Sequence, residues 1–409
     1  MFSSRFPWDL GTNRLTRALA EKRRAGAPVL DLTESNPTHA GLVYPPEILR
    51  AFDDRRILVY DPSPAGAVEA REAVAAYYAA RGRRVETGRI LLTASTSEAY
   101  AYLFKLLADP GDHVLVPRPS YPLFEFLANM ESLEVRQYPL AYHGGWAMDA
   151  DTLAAAITAR TRAVVLVNPN NPTGSYVKRA ELEWLAPLCA GRGIALISDE
   201  VFADYALAPD AGRVTTLAGV EECLAFSVSG LSKIAGLPQM KLGWMVASGP
   251  ERLRREAMEK LEWIADTYLS VGTPVQCAAA GLLRAGEAVQ RQIRERTAAN
   301  LACARHALAG SAANMLALEG GWYVTVQVPR IRSEEEWALE LLAREDVLVQ
   351  PAFFYDFESE AYLVLSLLTA PKIFREGVAR LVKRGAGRGS EPAHPPHSLS
   401  FRRGGPPEE

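Results

Sequence analysis

Two lysines, Lys233 and Lys241, stand eight residues apart in the stretch SGLSKIAGLPQMKLGW (229–244), whose other residues are mostly small or apolar. An unpaired ammonium is expensive to bury, so two lysines in what reads as core call for a chemical reason. A desolvated lysine has a lowered pKa and becomes a nucleophilic amine able to form a Schiff base. A second cation beside it suits an anion, most simply a phosphate. Three other stretches carry matching chemistry. In VVLVNPNNPTG (164–174) an apolar run ends in a turn where a buried Asn171 amide could bond a ligand oxygen. In IALISDEVFADY (194–205) Asp199 follows five largely apolar residues. A buried carboxylate there needs a cationic partner, such as a protonated ring nitrogen. In LLTASTSEAYAY (91–102) a strand gives way to Ser95, Thr96 and Ser97 at the start of a helix. Free backbone N–H groups and hydroxyls at that position attract anions.

Each stretch also has a plainer reading. Lysines are mostly solvated. Asn, Pro and Gly are the usual turn formers, acidic residues favour helix N-termini, and Ser and Thr are preferred N-caps. What weighs against these readings is position. The apolar runs at 90–93, 113–117, 163–168, 194–199, 224–229 and 242–247 are continuous rather than alternating, as in a sheet covered on both faces. Helical patterns such as SEAYAYLFKLLADPGD and KRAELEWLAPLCAGRG separate them, the alternation of an α/β domain with a mostly parallel sheet. Asn168, Asp199, Ser229 and the loop after Thr93 all fall at strand ends, where such sheets bind ligands.

The rest of the chain frames that sheet. Residues 274–309 are Ala/Arg/Glu-rich and helical, and GGWYVTVQVP and AYLVLSLL then read as strands around a helix in SEEEWALELLAREDV. The expected division is a large domain at 51–275, a small α+β domain from 1–50 plus 276–384, and a disordered Gly/Pro/Ser-rich tail at 385–409. The first 50 residues, with a helix expected at 12–25 and a Pro-rich run, are too short to fold alone and are expected to join the small domain. The 409 residues are 48% hydrophobic, enough for a large core. A net charge of −3 lacks the basic balance of a nucleic-acid binder. Cys189, Cys223, Cys277 and Cys303 are widely spaced and form no CxxC pair, so neither a disulfide framework nor a zinc site is indicated. The N-terminus has no apolar h-region and no run reaches bilayer length. A soluble protein of the reducing cytoplasm fits these features.

The four stretches, in this order and at these separations, resemble the class I/II aminotransferases, a fold type I family of pyridoxal 5′-phosphate (PLP) enzymes. The likeness extends over roughly residues 28–382. It implies an α/β fold in which a large domain carries a mostly parallel mixed sheet sandwiched by helices, beside a smaller α+β domain. By resemblance, Lys233 is the Schiff-base lysine and proton shuttle, Asp199 the partner of the pyridine nitrogen, and Asn171 the donor to the phenolic oxygen. Thr96, Ser97, Ser232 and Lys241 correspond to the phosphate site, where many relatives have arginine at position 241. Tyr121, in RPSYPLF, corresponds to the aromatic residue on the ring face. Tyr60 corresponds to the tyrosine that reaches the partner subunit's phosphate, which implies a homodimer with shared sites. The substrates implied are a small amino donor and an oxo acceptor.

The sequence departs from that pattern at several places. Phe202 stands where relatives usually have tyrosine, and Gly230 where many have serine. In TESNPT, Ser35 replaces a glycine that contacts the substrate carboxylate. Most consequentially, Val364 occupies the position of the arginine that clamps that carboxylate. The cofactor half of the site is thus complete while the usual substrate anchor is missing. The substrate is expected to lack an α-carboxylate or to be held by another cation, His39 being a weak candidate. The main reading is a PLP-dependent aminotransferase. A PLP-dependent lyase, cyclase or decarboxylase on the same fold is the alternative. A non-catalytic ligand-sensing domain is a more distant one.

Overall fold

The computed structural model describes residues 2–5, 8 and 11–386; most of the tail expected at 385–409 lies outside the described residues. A first short strand, β1 (Leu30–Asp31), belongs to the smaller domain. The large domain then contributes eight strands: β2 (Ile90–Thr93), β3 (His113–Arg118), β4 (Glu134–Tyr142), β5 (Trp146–Met148), β6 (Thr161–Val167), β7 (Ala195–Asp199), β8 (Ala225–Gly230) and β9 (Gly243–Ser248). They form one sheet in the order β2-β9-β8-β7-β6-β3-β4-β5. The four pairings from β8 across to β4 are parallel, and the outer three are antiparallel. The continuous apolar runs are explained by this placement, since β2, β6, β8 and β9 are buried almost throughout. One face packs helices Thr96–Leu107, Leu123–Met130 and Glu251–Tyr268, and the other packs Ala150–Ala156 and Arg179–Arg192. The last of these stops at Gly193, whose φ of 66° favours a residue without a Cβ penalty.

The smaller domain holds β10 (Asn314–Met315), β11 (Tyr323–Gln327), β12 (Val347–Leu348), β13 (Gln350–Pro351) and β14 (Tyr362–Ser366). Its four-stranded sheet runs β10-β11-β14-β13 and is antiparallel, while β12 pairs in parallel with β1. The N-terminal helix Arg14–Arg24, capped by Asn13, contacts helix Glu334–Glu345, which opens on a Ser333/Glu336 capping box. A helix of 36 residues, Thr273–Leu308, packs against both the helix Val68–Ala79 and the helix Pro371–Ala386.

Candidate active site

The sheet brings three of the chemistry-bearing stretches to the carboxyl ends of the adjacent strands β6, β7 and β8, with β9 between these and β2. Asp199 is the last residue of β7, Asn171 lies in the turn after β6, and Lys233 lies in the short helix Leu231–Ile234 directly after β8. Two residues, Ala94 and Ser95, separate the end of β2 from helix Thr96–Leu107.

In NPNNPTG the three asparagines differ in what they bond. Asn168 donates from Nδ2 to the Val214 carbonyl (2.8 Å) and accepts at Oδ1 from the Val177 N–H (2.9 Å). Asn170 donates to the Pro119 carbonyl and to Thr173 Oγ1, both at 2.9 Å, and accepts from Ser120 Oγ. Those two side chains lock the turn. Asn171 is buried as well, but its Oδ1 has no hydrogen-bond partner. A buried orphan of this kind is rare, and it leaves the Asn171 amide for a ligand. The turn closes at Gly174 (φ 67°), where a Cβ would lie 2.1 Å from Leu318 Cδ1 and 2.3 Å from the Gly320 carbonyl of the smaller domain.

Asp199 accepts a hydrogen bond from Tyr100 OH (3.3 Å) at Oδ2 and from the Val201 N–H (3.2 Å) at Oδ1. Both donors are neutral. Burial pushes its carboxyl up to about 6, against a smaller opposing pull from the Lys233 charge. A carboxylate so enclosed is poised to receive a cation. Its neighbour Glu200 is also pushed up by burial, to about 7. It is fully engaged, however, by Thr216 Oγ1 (2.6 Å), the Leu217 N–H (2.8 Å) and Ser227 Oγ (2.9 Å). The acidic pair therefore divides into a structural member and one that faces the site.

Lys233 is half-buried, its Nζ 5.6 Å from the ring centroid of Trp322, and its main-chain carbonyl accepts from Tyr205 OH (2.6 Å). Phe202 is buried edge-on against Trp322, 5.2 Å between centroids, and against Tyr323 at 6.1 Å. Position 202 thus belongs to an aromatic cluster, where a ring without a hydroxyl avoids a buried polar group. Gly230 has an equally physical cause. A Cβ there would lie 2.9 Å from both Gly243 Cα and the Leu242 carbonyl, so the serine common in relatives has no room.

Ser95 caps its helix by accepting the Glu98 N–H (3.2 Å), and Thr96, Ser97 and Ser232 remain partly accessible. Lys241 corrects one expectation. It is exposed, not buried, with φ 51° after the turn Pro238–Met240, because the chain emerges at the surface before re-entering the sheet as β9. Tyr121 is half-buried beside the cluster that holds Phe202. Tyr60 is 76% exposed, next to Leu58 and Val59, which are exposed too. Ser35 sits in a segment docked on β14 by a bond from Ser366 Oγ to the Glu34 carbonyl (2.6 Å). His39 is exposed, with its Nδ1 3.5 Å from Asn36 Nδ2. Val364 is completely buried on β14 between Thr325 and Gln350.

The structure adds residues that the motifs did not single out: Tyr100 on Asp199, Tyr205 on the Lys233 carbonyl, and Trp322 beside the Lys233 ammonium. Tyr100 lies in the same quoted stretch as the Ser95–Ser97 run. Its role was legible only as a tyrosine one helical turn past Thr96, which is too common a pattern to assign.

The three raised carboxylates give a pH prediction. Asp199, Glu200 and Glu334 are held at about 6, about 7 and about 7 by burial. The fold therefore binds protons that the unfolded chain has released. Their stabilisation is fully present below the ordinary carboxylate range and is lost as pH rises through those values. Urea unfolding of the cofactor-free protein is expected to show a midpoint falling steadily from pH 5 to pH 8, each group contributing on the order of 1–3 kcal/mol. A flat or rising midpoint over that interval refutes the burial argument.

Among the described residues, no group of three or more His, Cys, Asp or Glu could hold a metal ion. The residues present do fit PLP: a buried Asn171 amide whose Nδ2 could donate to the phenolic oxygen, a carboxylate bonded only by neutral donors, and an amine within its electrostatic reach.

Comparison with known proteins agrees with that fit. The family model for aminotransferase class I and II matches residues 27–370. The glutamate-pyruvate aminotransferase AlaA of Escherichia coli (strain K12) is 33% identical over 258 residues, 62% of this chain and 63% of that protein. The match thus spans somewhat under two thirds of that relative's length. The protein of the same name from Haemophilus influenzae is 26% identical over 372 residues, 88% of this chain and 91% of its own. In three dimensions, an alanine aminotransferase from Pyrococcus furiosus superimposes with a TM-score of 0.85, covering 95% of this chain and all of that one at 23% identity. At that identity the likeness speaks for the fold.

Proposed function

This chain belongs to the class I and II aminotransferases, and on that premise we propose that it is a PLP-dependent aminotransferase passing an amino group from a small amino donor to an oxo acceptor. The observation that carries the reading is Asp199: an enclosed carboxylate with only neutral donors, at a strand end beside Asn171 and within reach of the Lys233 charge. When bound, PLP supplies an electron sink for the carbanion that deprotonation of the donor would otherwise leave.

The protein's part follows from its own groups. Asp199 holds the proton on the ring nitrogen, since a charge pair relieves the burial that raises its pKa. The Asn171 Nδ2 would donate to the phenolic oxygen. Ser95, Thr96 and Ser97 at the N-terminus of a 12-residue helix, with Ser232 and Lys241, provide N–H groups, hydroxyls and a cation for the phosphate. Tyr121 covers the ring. Lys233 Nζ is the amine that would hold the cofactor covalently, and the same group would move the proton at the donor carbon.

Two copies are proposed to assemble, with Tyr60 reaching the phosphate of the other subunit. The exposed apolar run Leu58, Val59 and Tyr60 supports that reading, because such a patch is rarely left to water. The cytoplasm is proposed as its location. No described helix is long and apolar enough to cross a membrane, and all four cysteines are free thiols; cell fractionation checks this.

The decisive experiment mixes the purified holoenzyme with a panel of amino donors and follows the cofactor spectrum, the oxo product, and the subunit mass by sedimentation. Stoichiometric nitrogen transfer to an added oxo acceptor by a dimer is expected. Ammonia release without an acceptor would make it a lyase, and a monomer carrying full activity would remove Tyr60 from the site.

A further inference from the structure

We propose that Gln290, on the long helix Thr273–Leu308, positions Lys233 and so sets the rate of proton transfer at the donor carbon. This rests on the aminotransferase reading above and adds to it a residue that acts through Lys233 rather than on the substrate.

The carrying observation is how the lysine's own helix is held. Leu231–Ile234 has four residues, and a helix this short cannot satisfy its last carbonyls internally. Side chains from three separate elements hold this segment instead. Tyr205 OH donates to the Lys233 carbonyl (2.6 Å), Gln290 Nε2 to the Ile234 carbonyl (2.7 Å) and Tyr44 OH to the Gly236 carbonyl (2.7 Å). The long helix also presses directly on the segment. A Cβ on Gly286, one turn before Gln290, would lie 2.5 Å from Ala235 Cβ, and one on Gly236 would lie 2.7 Å from Val289 Cγ1.

Gln290 is buried in a helix face that otherwise shows Leu282, Val289 and Ile293 to the core. An amide there is costly unless its hydrogens are used. Nε2 uses both: the second goes to Asp204 Oδ2 (2.8 Å). Asp204 does not depend on that bond. Arg81 already donates to it from Nε (2.6 Å) and Nη2 (2.8 Å), and Tyr77 OH adds a third bond (3.1 Å). The carboxylate therefore orients the amide. With one N–H fixed on an aspartate that other residues hold, the second is aimed at the Ile234 carbonyl, the peptide group that follows Lys233. A shift of that peptide carries the Lys233 main chain with it, and a misplacement of about 1 Å costs roughly 100-fold in a positioned reaction.

Asn300, further along the same helix, supplies the comparison. It is buried too, and its Nδ2 donates to the Leu367 and Thr369 carbonyls at 2.8 and 2.7 Å. The bonds are of the same kind but do not reach the Lys233 segment.

The test compares Gln290→Met with Asn300→Leu. Hydrogen exchange of the cofactor-free protein is expected to quicken about tenfold in residues 231–237 of Gln290→Met and to stay unchanged in β6 and β7. The Ala235 and Leu237 amides report this, since both bond to the Leu231 carbonyl. In the holoenzyme, kcat of Gln290→Met is expected to fall at least about tenfold with KM within about threefold. Asn300→Leu is expected to lose comparable thermal stability with kcat within about twofold. Equal falls in kcat for the two variants, exchange that quickens throughout the large domain, or wild-type kcat in Gln290→Met would assign Gln290 to packing and overturn the proposal. Should Gln290→Met not fold, Gln290→Asn decides, because it keeps the amide but withdraws it by one methylene. It is expected to lower kcat about threefold or more and to quicken exchange in the same segment; no change in either overturns the proposal. If the wild-type holoenzyme passes no amino group to any oxo acceptor, the aminotransferase reading fails, and the exchange arm still decides whether Gln290 holds the Lys233 helix.

Discussion

Lys233→Ala is expected to lower kcat by on the order of 10⁴-fold or more, and to abolish borohydride-stable attachment of the cofactor. The effect is large because one side chain has two tasks: it forms the bond that holds the cofactor, and it carries the proton at the reacting carbon. The loss should be chemical rather than structural. The contact that fixes this segment runs from Tyr205 OH to the main-chain carbonyl of residue 233, which alanine retains. What alanine removes is the amine above the Trp322 ring. Circular dichroism and thermal unfolding of the cofactor-free protein should therefore be near wild type. Lys233→Arg separates the tasks, since it keeps a cation beside Asp199 but presents no nucleophilic amine. Activity above about one per cent in either variant, or borohydride label on another lysine, would remove Lys233 from the centre of the mechanism.

Asp199→Asn is expected to act in opposite directions on activity and on stability. Activity falls by about 10³-fold, because a neutral amide cannot hold the ring nitrogen protonated through the reaction. The cofactor-free protein becomes more stable above pH 6. Burial holds Asp199 at about 6 against an ordinary 3.8, a difference of about 2.2 units, or up to about 3 kcal/mol at pH 8. The sign follows from the raised pKa: ionising this carboxyl opposes folding, and asparagine never ionises. Asparagine also keeps an acceptor for the Val201 N–H. Denaturant midpoints of the two cofactor-free proteins at pH 5 and pH 8 test the stability arm, which should open only at the higher pH. A variant with activity within tenfold of wild type would show that the ring-nitrogen proton is held elsewhere.

Much of the fold was written locally. The continuous apolar runs gave six strands of the large sheet with ends within about two residues, because a strand covered on both faces must be apolar along its whole length. The strands β4 and β5 were not read, and the reason is visible in Glu134, Arg136 and Gln137. At the sheet margin β4 is only partly buried, so its sequence carries neither a continuous run nor a clean alternation. Lys241 misled for a related reason. Its apolar neighbours Leu242 and Trp244 are buried, yet a single residue with positive φ turned its own side chain outward.

The sequence by itself determined the parts of the site that depend on chain order. A strand end carries Asp199, a turn of fixed composition carries Asn171, a Ser/Thr run opens a helix, and Lys233 follows a fourth strand. Local patterning is enough for these, since a strand's end and the residue after it are neighbours whatever the rest of the chain does. Tertiary structure alone decided which of these groups are left unsatisfied. Asn168 and Asn170 are used up by Val214, Val177, Pro119 and Ser120 while Asn171 is not. Glu200 is saturated by Thr216, Leu217 and Ser227 while Asp199 keeps only neutral donors. A hydrogen-bond inventory closes between residues tens of positions apart, so no window of sequence can show which polar group is left over for a ligand.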